Sequence, residues 1–231
     1  LRPFAGRVPT ETFVLSLQNG LGNLDNMRAA LPSHERLLIG TTAHGSAVLG
    51  PGRLRHTGKG ATVIGDPATP QAPRFDLGPL RRALGRAGFE TDVAANVHTA
   101  VWNKLVANVA INALTAITGV RNGDLLEDPD LQPVIAQLVA ETVAVMQAAG
   151  VPPGMDDHLA YARKVMRDTS VASSSMLQDI RYGRRTEVDA INGAVARLRA
   201  EFGVATRLDR LLTIPVHSRE RGVRREGPAL K

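Results

Sequence analysis

The sequence predicts an α/β segment followed by an all-α one. Three observations carry this expectation. Apolar runs of strand length, punctuated by glycines, continue to about residue 97. From Thr99 to about residue 215 helical periodicity takes over and strand-like alternation does not recur. Within that stretch Gly150, Gly183 and Gly203 stand where helices should stop. The expected boundaries are residues 1–97 for the α/β domain, 98–215 for the helical domain, and 216–231 for a basic tail whose low apolar content predicts disorder.

Taken in order, residues 13–17 form an apolar run of strand length ending in the turn-forming segment Gln18-Asn19-Gly20-Leu21-Gly22. Residues 37–39, parts of 41–49, then 53–57 and 61–64 follow as strands between glycines. The proline-rich residues 66–73 predict a loop, residues 77–87 the one clear helix of this half, and residues 90–94 a last short strand. In the second half the expected helices are residues 99–116, 131–149, 155–167, 175–182, 186–202 and 207–212. Thr186-x-x-Asp189 has the form of a capping motif at a helix start.

Composition excludes several classes. With 231 residues and 43% apolar content the chain can bury a sizeable core. Lacking cysteine, it can have no disulfide framework and no thiolate metal site, so a reducing, cytoplasmic setting is the expectation. No run approaches the ~18–20 uninterrupted apolar residues of a membrane span, and the N-terminus lacks a signal-peptide core, so no membrane partner is expected. The net charge is +6, but half of that excess lies in residues 216–231. Aromatics make up 3%, leaving no stacking platform and no concentrated basic face, which argues against nucleic acid. The six histidines show no ligand spacing, and no metal site is expected. Gly20-x-Gly22 and Gly58-x-Gly60 each lack the third glycine of a dinucleotide fingerprint.

The segment from Val101 to Leu114 is the most informative. Besides Asn103, its only polar residues are Lys104, Asn108 and Asn112, at i, i+4 and i+8. Each step of four drifts only ~40°, so the three project as one narrow stripe on a helix apolar nearly all round. Such a stripe fits either a polar lining facing a cleft or a narrow exposed edge. In a partly dry cleft a lysine loses solvation of its charged form, and its lowered pKa suits it to give a proton near neutrality. Asparagine amides can hold a carboxylate, hydroxyl or carbonyl without adding charge.

Two further clusters are weaker. Ser173-Ser174-Ser175 precedes a helix, where serines serve as N-caps or help bind an anion. Glu187 has the place of an ordinary first-turn acid. Asn19 stands in the loop after a strand, where open α/β sheets bind ligands, although Asn-Gly is also a plain turn signal.

Together these segments resemble the ketopantoate reductase (2-dehydropantoate 2-reductase) family. The matching stretches are LQNGLG at 17–22, GTTAHG at 40–45, WNKL at 102–105 with Asn108 and NALTA at 112–116, SSMLQD at 174–179 and TEVDAING at 186–193, in family order. The resemblance implies a Rossmann-type N-terminal domain followed by an all-α C-terminal domain like that of 6-phosphogluconate dehydrogenase. It implies NADPH-dependent reduction of ketopantoate to pantoate, toward pantothenate and coenzyme A, by a monomer or homodimer acting on a small 2-keto acid. Lys104 matches the catalytic lysine. Asn108, Asn112, Asn122 and Ser175 match substrate-binding residues. Asn19 matches an asparagine near both nicotinamide and substrate, Glu187 a carboxylate associated with cofactor binding, and Ser46 a cofactor contact made through the backbone. The family's opening strand, GxGxxG turn and helix, with a cofactor-contacting lysine, would precede residue 1. The first domain is therefore expected to be incomplete, lacking its first βαβ unit. Two other readings remain at this point: a reductase of another branched 2-keto acid, and a non-catalytic helical binding or dimerising module.

Overall fold

The computed structural model describes residues 3, 6–68, 74–204 and 207–226 and divides the chain into two units. The first comprises Leu1–Gln18 and Gly22–Val101, the second Asn19–Leu21 and Trp102–Lys231.

The first unit holds β1 (Val14–Ser16), α1 (Asn23–Ala30), β2 (Leu37–Thr42), β3 (Gly45–Gly50), β4 (Arg53–Gly58), β5 (Thr62–Gly65), α2 (Gly78–Arg86) and β6 (Thr91–Val93). Four strands form one sheet in the order β1-β2-β5-β6. β1 runs parallel to β2 with Val14 opposite Leu37, β5 antiparallel to β2 with Ile64 opposite Gly40, and β6 parallel to β5. β3 and β4 make a separate antiparallel hairpin. The core gathers Met27, Leu31, Leu37, Ile39 and Val97.

The expectation of one helix in this half needs correction, because α1 is a second. As the crossover between parallel strands it is required by topology. It leaves little local signal: Asn23-Leu24-Asp25-Asn26-Met27-Arg28-Ala29-Ala30 buries Met27 alone, and Gly22 at its start offers no capping side chain. Within the expected loop at 66–73, residues 69–73 lie outside the described residues.

The second unit is helical: α3 (Val97–Thr118, of which Trp102 onward belongs here), α4 (Asp124–Glu127), α5 (Leu131–Ala148), α6 (His158–Asp168), α7 (Ser175–Arg181), α8 (Asn192–Phe202) and α9 (Leu208–Glu226). Its core runs from Trp102, Leu105, Val106 and Val109 on α3 through Leu138 and Met146 on α5 and Met166 on α6 to Ile180, Val195 and Val216. By length and hydropathy α3 and α5 could each cross a membrane, yet 67% of the α3 window is buried inside the protein, as in a core helix.

Three sequence expectations give way here. The helix expected from Thr186 begins at Asn192, and residues 186–191 form a turn. Thr186 caps no helix: its Oγ1 accepts from Val188 N at 3.3 Å, a local side-chain turn that competes with helix. The helix expected from residue 155 begins at His158, where Asp157 supplies the cap by accepting from Ala160 N at 2.8 Å. The tail expected to be disordered from residue 216 is helical to Glu226. Pro215 removes one helix hydrogen bond, but Val216 is fully buried, and Arg219 and Glu220 bond to backbone groups elsewhere in the unit. Residues 227–231 lie outside the described residues.

Candidate functional site

The stripe on α3 is not an exposed edge. Asn112 is 5% exposed, while Lys104 and Asn108 are partly buried. Around them Leu105, Val106, Val109, Ala110 and Ala113 are all buried, so the three polar groups interrupt an otherwise apolar helix surface. Burial pushes the Lys104 ammonium below its ordinary value, because the charged form loses hydration; the Glu187 carboxylate opposes that shift.

Glu187 lies in the turn ahead of α8, and its Oε2 accepts from Asn19 Nδ2 at 2.9 Å. The pairing depends on a strap, Asn19-Gly20-Leu21, that belongs to the helical unit. Leu21 N donates to Ala190 O at 2.9 Å. Gly20 has φ +77, and a Cβ there would stand 2.3 Å from Ala190 O, so only glycine lets the strap lie this close to the turn. Three of the residues singled out from sequence are thus brought together: Asn19 and Glu187 by a hydrogen bond, and Lys104 with Glu187 by charge.

Ser175 is exposed at the first position of α7. The N-cap is its neighbour Ser174, which accepts from Leu177 N at 3.0 Å and shares a 2.7 Å bond with Thr115 Oγ1. Thr115 sits three residues after Asn112 and also donates within α3, to the carbonyls of Ile111 and Asn112. That buried hydroxyl pair fixes the start of α7 against α3. Thr115 escaped the sequence reading, since a lone threonine inside an apolar helix carries no signal. His158 is another omission: its Nε2 lies 3.1 Å from Asn103 Oδ1, an amide one residue from Lys104.

Asn122 is 7% exposed, and its side chain is committed elsewhere, with Nδ2 donating to Thr169 Oγ1 at 2.9 Å. Its backbone N donates to Ala172 O at 3.0 Å, tying the loop after α3 to the segment between α6 and α7. Asn122 Oδ1 is buried with no hydrogen-bond partner among the described residues, which leaves one acceptor for a ligand or water. Ser46, in the first unit, is exposed on β3 opposite His56. Among the described residues no cluster of three or more His, Cys, Asp or Glu could hold a metal ion.

Comparison with known proteins now decides the family. A sequence profile described as "Ketopantoate reductase PanE/ApbA C terminal" matches residues 96–220, more than half of the chain, and one described as "Ketopantoate reductase PanE/ApbA" matches residues 1–69. The chain belongs to the ketopantoate reductase family. The 2-dehydropantoate 2-reductase of Halobacterium salinarum is 39% identical over 207 residues, covering 90% of this chain and 67% of that protein. The one from Archaeoglobus fulgidus is 32% identical over 210 residues, covering 91% and 69%. Among solved structures, a PanE/ApbA family ketopantoate reductase from Ralstonia eutropha is 30% identical with a TM-score of 0.82, covering 94% of this chain and 70% of that one. D-mandelate dehydrogenase with NADH and anilino(oxo)acetate is 26% identical with a TM-score of 0.84, at the same coverage. These neighbours support a Rossmann-type fold followed by the family's helical domain. The chain spans about two thirds of the length of its relatives.

Proposed function

We propose that this oxidoreductase carries out the NADPH-dependent reduction of 2-dehydropantoate to (R)-pantoate, a step of pantothenate and coenzyme A synthesis. The observation that carries the reading is Lys104: a partly buried ammonium, lowered in pKa by desolvation and opposed by one carboxylate, on a helix face otherwise furnished with neutral amides. Reduction of a 2-keto acid places developing negative charge on the keto oxygen. An ammonium there stabilises that charge and passes its proton to the alkoxide, and a depressed pKa eases the transfer near neutral pH. Asn108 and Asn112 hold the carboxylate or hydroxyl end through amide donors and acceptors. Ser175, exposed at the start of α7, and the unpartnered Asn122 Oδ1 add polar contacts.

The donor set fits a nicotinamide as co-reactant: it supplies the proton and grips the acid. Asn19 and Glu187, which share a hydrogen bond within the helical unit, would hold that cofactor. When bound, a reduced nicotinamide dinucleotide supplies the hydride to the keto carbon. Glu187 favours the charged form of Lys104 against the larger effect of burial, which helps hold the proton that the alkoxide takes up.

The test is oxidation of NADPH by the full-length protein on addition of ketopantoate, with Lys104→Ala expected to lower kcat by roughly 10²–10⁴-fold. Full activity in that variant would overturn the role of Lys104. The similarity to D-mandelate dehydrogenase in complex with NADH motivates a second reading, a reductase of another 2-keto acid. A panel of branched and aryl 2-keto acids, each with NADPH and NADH, separates the two by kcat/KM, because pocket shape and not the Lys/Asn set discriminates among such substrates.

A further inference from the structure

The part of the sequence that first looked like a disordered basic tail makes the contacts that hold the functional turn. Residues 182–191, between α7 and α8, contain no regular helix, yet they carry Glu187, whose charge acts on Lys104. Inside the turn, Ala190 N and Ile191 N donate to Glu187 O at 2.9 and 3.0 Å, and Gly193 N to Val188 O at 2.9 Å. Two grips come from α9. Glu220 Oε1 accepts from Thr186 N at 2.7 Å, and His217 Nε2 stands 3.1 Å from Asp189 Oδ1. Glu220 and His217 are three residues apart, so they share one helix face, and they take hold of the turn on either side of Glu187. Between them Arg219 Nη1 donates to Ala116 O at 2.9 Å and Ile117 O at 2.6 Å. These carbonyls belong to the last turn of α3, where no intrahelical donor remains for them. One helix is therefore tied both to the end of the Lys104 helix and to the turn that carries Glu187.

We propose that Glu220 is a positioning residue of the active site: by accepting from Thr186 N it sets where the Glu187 carboxylate stands relative to Lys104. This rests on the reading of Lys104 as the proton donor. The charged groups around the turn are Asp179, paired with Arg184; Asp189, paired with Arg185 and beside His217; and Lys104. Asp179 is pushed up chiefly by burial, and the charges of Glu187 and Glu220 both add to that, which places the three carboxylates within one electrostatic neighbourhood.

The experiment reads the Lys104 titration directly by NMR of lysines labelled at Cε, a short assignment because the chain has four lysines. Glu220→Asp keeps the charge and withdraws the acceptor by one methylene; Glu220→Gln keeps an acceptor at full reach and removes the charge. If Glu220 positions the turn, Glu220→Asp lowers the Lys104 titration by about half a unit or more, with kcat falling about tenfold and KM little changed, because Glu187 then drifts from the ammonium. Glu220→Gln then moves it less. Adding Glu220→Asp to Glu187→Gln gives no further shift. The reverse order, with Gln shifting the titration and Asp leaving it in place, would mean that Glu220 acts only as a distant charge and would overturn the proposal. An unchanged titration in both overturns it equally. Absence of turnover in the full-length protein would instead defeat the catalytic reading, while the NMR comparison still decides the positioning role.

Discussion

At the scale of single residues, the proposed chemistry turns on the balance between desolvation and one opposing charge at Lys104. Removing that charge with Glu187→Gln leaves burial unopposed. The ammonium then titrates at lower pH, and the basic limb of the kcat profile moves toward acid while the acid side stays in place. A pH series of initial rates checks the direction; a basic limb that moves to higher pH would contradict the pairing. Gly20 offers a stability test of the same neighbourhood. An alanine there must adopt φ near +77 and place its Cβ against the Ala190 carbonyl, so Gly20→Ala should cost roughly 1–3 kcal/mol in urea unfolding. It should also weaken the bond between Asn19 and Glu187 by lifting the strap. The Lys104 stripe was visible in the sequence because spacing by four projects directly onto a helix. Glu187 is visible in the sequence as a residue but not as geometry: its neighbour Thr186 is held by Glu220, 34 residues further along, whereas the local pattern shows only Thr186-x-x-Asp189.

At the scale of elements, the helical unit carries a buried polar junction that sequence could not reveal. Asp209 in the first turn of α9 is fully buried and accepts from Asn192 Nδ2, at the start of α8, at 3.0 Å. Glu141 on α5, also buried, accepts from Arg207 N and Leu208 N at 3.1 Å each and so caps α9 from a distance. Asp209 Oδ2 has no hydrogen-bond partner among the described residues. Burial, aided by the Glu141 charge and opposed by the Asn192 hydrogen bond, raises the Asp209 carboxyl to about 7. Its native pKa thus exceeds the unfolded value, so between about 4 and 7 the native state binds more protons than the unfolded chain. The resulting stabilisation is present in full below the unfolded pKa and is lost as pH rises through about 7, at up to ~1.4 kcal/mol per pH unit. Asp209→Asn, neutral at every pH, should remove that slope and leave the variant more stable than the parent at pH 8. Urea midpoints at pH 5 and pH 8 are the measurement, and equal slopes in the two proteins would refute the assignment. The same junction explains why the C-terminal helix is illegible in the sequence: its apolar surface is sparse, and what anchors it is Asp209, Arg219 and Glu220 meeting partners that only the fold supplies.

At the scale of the whole molecule, the pattern of the sequence changes near Thr99, while the two compact units divide inside α3, at Val101 and Trp102, and the Asn19–Leu21 strap goes with the helices. Periodicity reports an element's local pattern, not the partner it packs against, which is why a three-residue strap between a strand and a helix could not be assigned from sequence. The consequence is energetic. The helical unit packs a continuous core that includes Trp102, Leu105, Ile135, Met146, Met166 and Ile180, all nearly inaccessible, whereas among the described residues the sheet unit has a smaller cluster of Met27, Leu31, Leu37, Ile39 and Val97, with Leu38, Ile64 and Leu77 buried besides. Buried apolar area contributes ~25 cal/mol per Å², so the larger core should hold to higher denaturant. Trp102 is the sole tryptophan, is 4% exposed and belongs to the helical unit, so its fluorescence reports that unit alone. Unfolding of the 231-residue chain in urea should therefore show an early transition by far-ultraviolet circular dichroism that leaves tryptophan emission unchanged, followed by a later one seen by both. Leu105→Ala, which empties a fully packed site on α3, should lower the second midpoint by the equivalent of about 2–5 kcal/mol and leave the first in place. A single coincident transition by both probes would instead mean that the chain unfolds as one cooperative body, and the unequal cores would then carry no separate stabilities.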